Sequence, residues 1–400
     1  MMRKNWGGIV AALFFLLLVF SNAFLTTFGI EILKEFHENR NLAPKPVFKS
    51  GQFSLTKFIS DFDAYISDHF SLRKPLLISL NTVKYFLFNV SPDPTAMPSK
   101  KGWIFYGNTL LRDYSRADKP AQWYVEKIEQ SLREKQAWLN ARGIGFIFVL
   151  TPNKHNIYPQ YMPSYLVKGE GISNGERLVE RLTKALPGTV ANVFPALREA
   201  AKHRRVYYKI DTHWNYSGAR EASEVVFHLI KKSFPGLKLK PLPEMKDKLE
   251  VLSPGSFGQV MGVPLREEEA TPVPRGGWNW KNFPGAKLKK LLPEHARVFQ
   301  WINPGAPPTR VLVLGDSFMG RFDKYIAEMF GHSIFVNLWD TPLTADNRFP
   351  TGFIETIDPD IVILLFVERR LRYDEKTKNV YYYNAENPAE VCKAINEKQQ

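Results

Sequence analysis

The chain has 400 residues, 44% of them hydrophobic, and a formal net charge of +14. That length allows one large domain or two smaller ones with a full core, and the positive excess favours an acidic partner: nucleic acid, anionic lipid or an acidic polymer. The single cysteine, Cys392, excludes an intramolecular disulfide and a cysteine-based zinc site.

Arg3 and Lys4 precede an uncharged run from Gly7 to Ile30. About 20 apolar residues suffice to span a bilayer, so residues 1–6 read as a cytoplasmic tail and 7–30 as a transmembrane signal anchor. Ser21-Asn22-Ala23 has the look of a small-residue cleavage site, which makes a cleaved signal the rival reading. On either reading the rest is exported, and nucleic acid leaves the list of partners. Residues 31–95 read as a stem, polar and Pro-containing from His37 to Gln52, followed by two amphipathic helices. Phe58, Phe62, Tyr65 and Ile66, then Leu76, Leu77, Leu80, Val83 and Leu87 carry the helical spacing.

From about residue 96 to the C-terminus strands and helices alternate, which predicts an α/β domain with a mainly parallel sheet between helical layers. The elements are a helix over Gln122 to Arg142, closed by Gly143, and a strand at Ile144 to Pro152. A helix over Glu176 to Leu186, a strand at Val190 to Val193, a strand at Arg205 to Ile210 and a helix over Ser217 to Lys232 follow. Residues 235–308, rich in Pro, Gly, Lys and Trp, form an excursion from the sheet. Arg310 to Gly315, Ser333 to Trp339 and Asp360 to Val367 then supply three closing strands.

The strand Arg310 to Gly315 runs into Asp316-Ser317, with a helix expected from about Phe318. A hydroxyl there stands at the carboxyl edge of the sheet beside helix N–H groups that favour developing negative charge. Gly315 permits a tight turn and Gly320 a close backbone approach. A nucleophilic serine needs a base, and the base an orienting group. Asp211 and His213 stand two apart beyond a strand, so an extended chain points both side chains the same way, with Asp211 holding the ring and His213 facing Ser317. The plainer alternative is a helix-capping serine and a turn-forming Asp.

Asp211-Thr212-His213-Trp214-Asn215 with Gly315-Asp316-Ser317-Phe318 resembles the SGNH hydrolase-like domain of the alginate O-acetyltransferases AlgJ and AlgX. Asp68 to Arg73, Gly102 to Asn108, Thr151 to Pro163 and the segment ending at Leu371 are similar too, in the same order. The form resembled more is the anchored AlgJ. The resemblance implies a flavodoxin-like SGNH fold in circularly permuted order, since His213 precedes Ser317. It also implies a protein of alginate-type exopolysaccharide biosynthesis, single-pass in the inner membrane with its catalytic domain in the periplasm. The implied activity is transfer of acetyl, through an acetyl-serine on Ser317, to a hydroxyl of an exopolysaccharide. A membrane-bound O-acyltransferase (MBOAT) is the implied donor partner, and no cofactor is expected. An SGNH carbohydrate acetylesterase needs the same triad, and a non-catalytic polysaccharide-binding or assembly protein needs only the fold.

One position departs from the SGNH pattern: Glu368-Arg369 follow the last strand where an Asn is expected, which leaves the second oxyanion donor unassigned. Arg369 and Arg321 are candidates for it. Asn153, Lys154, Tyr158 and Trp214 are candidates for substrate contact, as are Trp278 and Trp280, although aromatics at such positions commonly pack in cores. Asn215-Tyr216-Ser217 matches a glycosylation sequon, but its place beside the proposed base argues against modification. Asp211, His213 and His155 lack metal-ligand spacing, and no metal is expected.

Overall fold

The structure, a computed structural model, describes residues 6–28, 42–47, 54–107, 109–117, 122–283, 288, 297–337, 350–370, 372–374 and 379–381. Cys392, Asn108, Leu371, the end of the Ser333 to Trp339 strand and most of the expected stem lie outside these residues. The chain divides into two compact units, residues 1–98 with 253–266 and residues 99–252 with 267–400.

The first unit holds helices α1 (Trp6–Thr27), α2 (Leu55–His69) and α3 (Arg73–Phe88), strand β1 (Ala96–Pro98) and, from the later segment, α10 (Gly255–Met261). Ser54 caps α2 through its hydroxyl, which accepts the Lys57 N–H at 3.4 Å. Asn81 ties α3 to α10 by donating to the Met261 carbonyl at 2.8 Å. The amphipathic spacing expected here does form two helices, but the apolar residues Leu55, Ile59, Phe62, Leu76 and Leu80 are exposed.

The expected anchor is corrected. Among the described residues no helix is long and apolar enough to cross a membrane, so a single-pass inner-membrane anchor is not supported. The helix ends at Thr27, short of Ile30, and its last turns carry Ser21, Asn22, Thr26 and Thr27 in sequence. Such residues bring hydrogen-bonding groups that a hydrocarbon core does not satisfy.

The second unit contains the remaining elements in chain order: β2 (Ile104–Tyr106), α4 (Thr109–Tyr114), α5 (Gln122–Asn140), β3 (Gly145–Thr151), α6 (Lys154–Ile157), α7 (Asn174–Ala185), β4 (Val190–Ala191), α8 (Phe194–Ala200) and α9 (Tyr216–Ser233). They continue with β5 (Met245–Leu252), β6 (Glu267–Pro274), β7 (Lys281–Phe283), β8 (Arg297–Ile302) and β9 (Arg310–Gly315). Helix α11 (Met319–Met329), β10 (His332–Asn337), α12 (Thr351–Ile357), β11 (Ile361–Val367), β12 (Arg372–Asp374) and β13 (Asn379–Tyr381) complete it.

A seven-stranded sheet runs in the order β4-β3-β11-β9-β10-β8-β7, parallel from β4 to β10. The strands β3, β9 and β11 read as continuous apolar runs because helices cover both faces. On one face Phe146, Phe148, Leu312, Leu314, Val362 and Leu364 pack with Ile128 and Leu132 of α5, Leu178 and Leu182 of α7, and Ile354 of α12. Helices α9 and α11 pack on each other, and α11 against β10.

Two expectations change. Part of the 235–308 excursion returns to the sheet, with β8 antiparallel to β10 and β7 antiparallel to β8, while β5 and β6 pair as a separate antiparallel hairpin. The stretch Arg205 to Ile210 is no strand: a single bridge joins Tyr207 to Trp214, and the segment folds back on itself as a loop. Val206, Tyr207, Tyr208 and Ile210 are nonetheless buried, so this apolar, aromatic run reports burial rather than sheet pairing.

Candidate active site

The central strand β9 delivers Ser317. Gly315 sits so close to β11 that an added Cβ would lie 2.3 Å from the Leu365 carbonyl oxygen, whereas a Cβ on Gly320 meets nothing within 4 Å. The close approach therefore belongs to Gly315, and Gly320 serves a kink. Asp316 is buried and builds the turn: its carboxylate accepts the Phe318 N–H and, across the sheet, the Val367 N–H, each at 2.9 Å. Ser317 itself is exposed.

The helix expected from Phe318 is broken at once. Gly320 has ψ 139° and Arg321 lies in the left-handed region at φ 70°, so regular helix resumes only at Phe322. A left-handed arginine is strained, and such strain collects where the fold over-determines a site. The kink also spends the N–H groups expected to be free. Phe318 N–H goes to Asp316 Oδ1, Met319 N–H to the Asp316 carbonyl and Gly320 N–H to the Ser317 carbonyl. Of the N–H groups from Ser317 to Gly320, that of Ser317 alone has no acceptor among the described residues.

The loop after Ile210 brings the other two groups. Asp211 Oδ1 accepts both the His213 backbone N–H at 2.9 Å and the ring Nδ1–H at 2.6 Å. This is an Asx-type turn, so the two side chains align through a local hydrogen bond and not through strand alternation. With Nδ1 donating to Asp211, the lone pair of Nε2 faces the hydroxyl of Ser317, 2.7 Å away. Burial alone would raise the Asp211 pKa. The charge and hydrogen bonds of His213, with the Arg321 guanidinium, outweigh burial and hold the carboxyl well below the usual carboxylate range.

A pair of opposite charges fastens this loop from two sides. Buried Lys154 donates to the carbonyls of Tyr208 at 3.0 Å, Lys209 at 3.0 Å and Asp211 at 2.8 Å. Glu267, at the start of β6, accepts the N–H groups of Lys209 at 2.8 Å and Ile210 at 3.1 Å and pairs with Arg205. Burial lowers the Lys154 pKa to about 7, against the pull of the Asp211 and Glu267 charges. Lys154 is thus spent on holding the loop that carries Asp211 and His213. Nothing in the sequence marks Glu267 for this part, since it falls inside the irregular excursion.

The other expected residues divide. Arg321 lies 4.9 Å from the centre of the Tyr208 ring, hydrogen-bonds its hydroxyl and acts electrostatically on Asp211. Trp214 is fully buried, donating to the Gly320 carbonyl at 3.3 Å and stacking on Phe322, and Tyr158 is buried against Trp103 with its hydroxyl accepting the Val206 N–H at 2.8 Å. Neither offers a face to a sugar. Trp278 and Trp280 are half-buried against Tyr325 and Trp301. Asn215 is buried, capping α9 by accepting the Gly218 N–H at 3.0 Å. His155 pairs with Asp113 at 2.8 Å and is not joined to Asp211 or His213 by any recorded bond.

At the end of β11, Glu368 turns inward and accepts from the N–H of Asn153 at 2.9 Å, Asn156 Nδ2 at 2.8 Å and the N–H of Gly175 at 3.1 Å. Burial, with the nearby Asp113 carboxylate, pushes its pKa up to about 7. Asn153 is buried, and its side-chain amide has no hydrogen-bond partner among the described residues. Arg369 lies over the Phe318 and Tyr106 rings, with its guanidinium carbon 5.1 and 5.6 Å from their centres.

Residues 97–274 match the family model described as the SGNH hydrolase-like domain of acetyltransferase AlgX. The match includes Asp211 and His213 and stops short of Ser317. Among solved structures, Bacillus cereus PatB1 is similar over 70% of this chain and 97% of its own, with a TM-score of 0.50 and 17% identity. The O-acetyltransferase domain of Pseudomonas putida AlgJ is similar over 71% of this chain and 95% of its own, with a TM-score of 0.44 and 13% identity. Pseudomonas aeruginosa AlgX is similar over 72% of this chain and 64% of its own, with a TM-score of 0.45 and 18% identity. No curated protein matches the sequence. The likeness to PatB1 shows the fold, while the AlgX-domain match speaks for residues 97–274, less than half of the chain. Residues 97–274 thus form an SGNH hydrolase-like domain of the AlgX acetyltransferase family, within the AlgJ/AlgX-like group that the sequence motifs resemble.

Proposed function

We propose that this chain is a polysaccharide O-acetyltransferase that works through a Ser317-His213-Asp211 triad and an acetyl-serine intermediate. The observation that carries the reading is the continuous chain of short contacts, Asp211 Oδ1 to His213 Nδ1 at 2.6 Å and His213 Nε2 to an exposed Ser317 Oγ at 2.7 Å. His213 removes the hydroxyl proton as Ser317 attacks an acetyl donor, then returns it to the leaving oxygen. Asp211, kept ionised, orients the ring and balances the imidazolium. A sugar hydroxyl, deprotonated by the same His213, takes the acetyl group in the second half-reaction. The acceptor is an exopolysaccharide, of the acidic alginate type that suits a net charge of +14. An MBOAT partner is the proposed source of acetyl, and the motif order is that of a circularly permuted SGNH fold.

The test is to incubate the full chain with an activated acetyl ester and a panel of neutral and acidic oligosaccharides, reading acceptor masses against Ser317→Ala. The expected result is an acetyl mass gain on one class of sugar that the variant does not produce. Free acetate alone would identify an esterase, and neither product would leave a binding protein.

A further inference from the structure

The turn after β9 leaves one main-chain donor at the nucleophile, the Ser317 N–H, because the next three N–H groups are already bonded to Asp316 and Ser317. An acyl-transfer site stabilises its oxyanion with more than one donor aimed at the developing charge. The second donor must therefore come from another element, and the end of β11 is the neighbour: Leu365 is in register with Gly315, and Val367 N–H bonds Asp316.

Three consecutive charged residues follow Val367, and they part company. Glu368 turns to Asn153, Asn156 and Gly175. Arg370 Nε stands 3.7 Å from Asp316 Oδ2. Arg369 alone of the three has no hydrogen bond or ion pair recorded among the described residues. Its guanidinium rests on the faces of Tyr106 and Phe318, and the Phe318 ring centre is 5.0 Å from that of His213. Burial lowers the Arg369 pKa, opposed by the charge of Asp316 and by Tyr106, Tyr207 and Asp211. A partly desolvated guanidinium held by ring faces keeps its in-plane N–H donors, and without a bonded anion it carries an unmet demand for negative charge. In the proposed reaction such charge arises in one place, on the carbonyl oxygen of the acetyl group attached to Ser317.

We propose that Arg369 is the second oxyanion donor, its guanidinium binding that oxygen together with the Ser317 N–H. The proposal rests on the acetyl-serine reading. In the step concerned, the Oγ–H proton passes to His213 Nε2, the Oγ–C bond forms, and the carbonyl π pair moves onto oxygen to face Arg369. Collapse restores the C=O bond and breaks the bond to the leaving oxygen, which takes the proton from Nε2. Arg369 forms no covalent bond, and its role recurs when the sugar hydroxyl attacks the acetyl-serine.

The experiment measures acetyl-enzyme formation from 4-nitrophenyl acetate without any sugar acceptor, using the full-length chain, Ser317→Ala, Arg369→Ala, Arg369→Lys and Asn153→Ala. A small neutral ester separates oxyanion binding from recognition of an acidic polymer. Arg369→Ala is expected to lower the acetylation rate constant about 100-fold or more with little change in KM. Arg369→Lys should recover part of the rate, and added methylguanidinium should restore Arg369→Ala, a rescue that a merely structural residue would not show. The proposal is overturned if Arg369→Ala acetylates at the wild-type rate and only its KM for acidic oligosaccharides rises. It is equally overturned if rescue fails while Arg369→Lys is as slow as Arg369→Ala, or if Asn153→Ala alone shows the loss. A normal Ser317-dependent burst that Arg369→Ala retains sinks this proposal alone. A wild-type chain with no such burst sinks the acetyl-serine reading, and this proposal with it.

Discussion

Replacing Lys154 by methionine removes the ammonium that holds three carbonyls of the loop ending at Asp211 while keeping a side chain of similar length. The Lys209 carbonyl keeps the Ile104 N–H at 3.0 Å, so the Tyr208 and Asp211 carbonyls are the acceptors put at risk. An unsatisfied buried acceptor costs about 1–3 kcal/mol, or about 4 kcal/mol for the two. Against this stands the cost of burying the cation. The fall of its pKa from 10.5 to about 7 is worth about 5 kcal/mol against the charged form. The two effects are close in size, so global stability should change by less than about 2 kcal/mol. The loop, however, loses its fastening directly at Asp211, and an ångström of misplacement at a catalytic group costs about 100-fold in rate. Urea unfolding followed by tryptophan fluorescence, beside turnover of an activated acetyl ester, separates the two. Lys154→Met should leave the unfolding midpoint nearly in place and lower kcat about 100-fold. Turnover within about twofold of wild type would refute the view that Lys154 positions the triad.

Glu368 gives the pH dependence. Its pKa is raised from 4.5 to about 7 in the folded chain, so its contribution to stability is fully present below pH 4.5 and lost as pH rises through about 7. Up to about 3 kcal/mol is at stake over that interval, and Glu368→Gln, which removes the titration, should flatten urea midpoints between about pH 5 and 7.5 relative to wild type; parallel profiles would refute it. Asp113, His155 and Arg116 face the same cluster, and the lowered pKa of Asp113 places its own change at more acid pH. Gly315→Ala drives a Cβ to 2.3 Å from the Leu365 carbonyl oxygen, where only a backbone shift between β9 and β11 relieves it. A loss of about 3 kcal/mol in unfolding free energy is expected, and a neutral substitution would show that the two strands are free to separate there.

Much of the fold was legible because its cause is local. β3, β9 and β11 carry unbroken apolar runs at Phe146 to Leu150, Val311 to Leu314 and Ile361 to Val367, as strands covered on both faces do, and α5, α7 and α9 form within a few residues of the expected bounds. Asp211, His213 and Ser317 were legible as residue types at the edge of one sheet, yet the geometry aligning them was not. An Asx-type turn does the work assigned to an extended strand, since the apolar stretch Val206 to Ile210 is buried with only a single bridge and no partner strand. The kink at Gly320 and Arg321, which spends the expected helix N–H groups, has no signature in "SFMGRF". Glu267 and Lys154 act on one loop from distant parts of the chain, a pairing that spacing along a sequence does not reveal. Trp214 and Tyr158, candidates for sugar contact in the sequence, take the commoner course of aromatics and pack inside, with their polar atoms spent on internal partners.

The central claim is that acetyl passes through Ser317, and intact-mass and peptide analysis of the full-length chain quenched during turnover of an activated acetyl ester tests it most directly. The account predicts one acetyl group on the peptide bearing Ser317, absent in Ser317→Ala, scarcely formed in His213→Ala, and discharged when the competent sugar is added. Acetyl on another residue, or Ser317→Ala transferring acetyl at the wild-type rate, would contradict it.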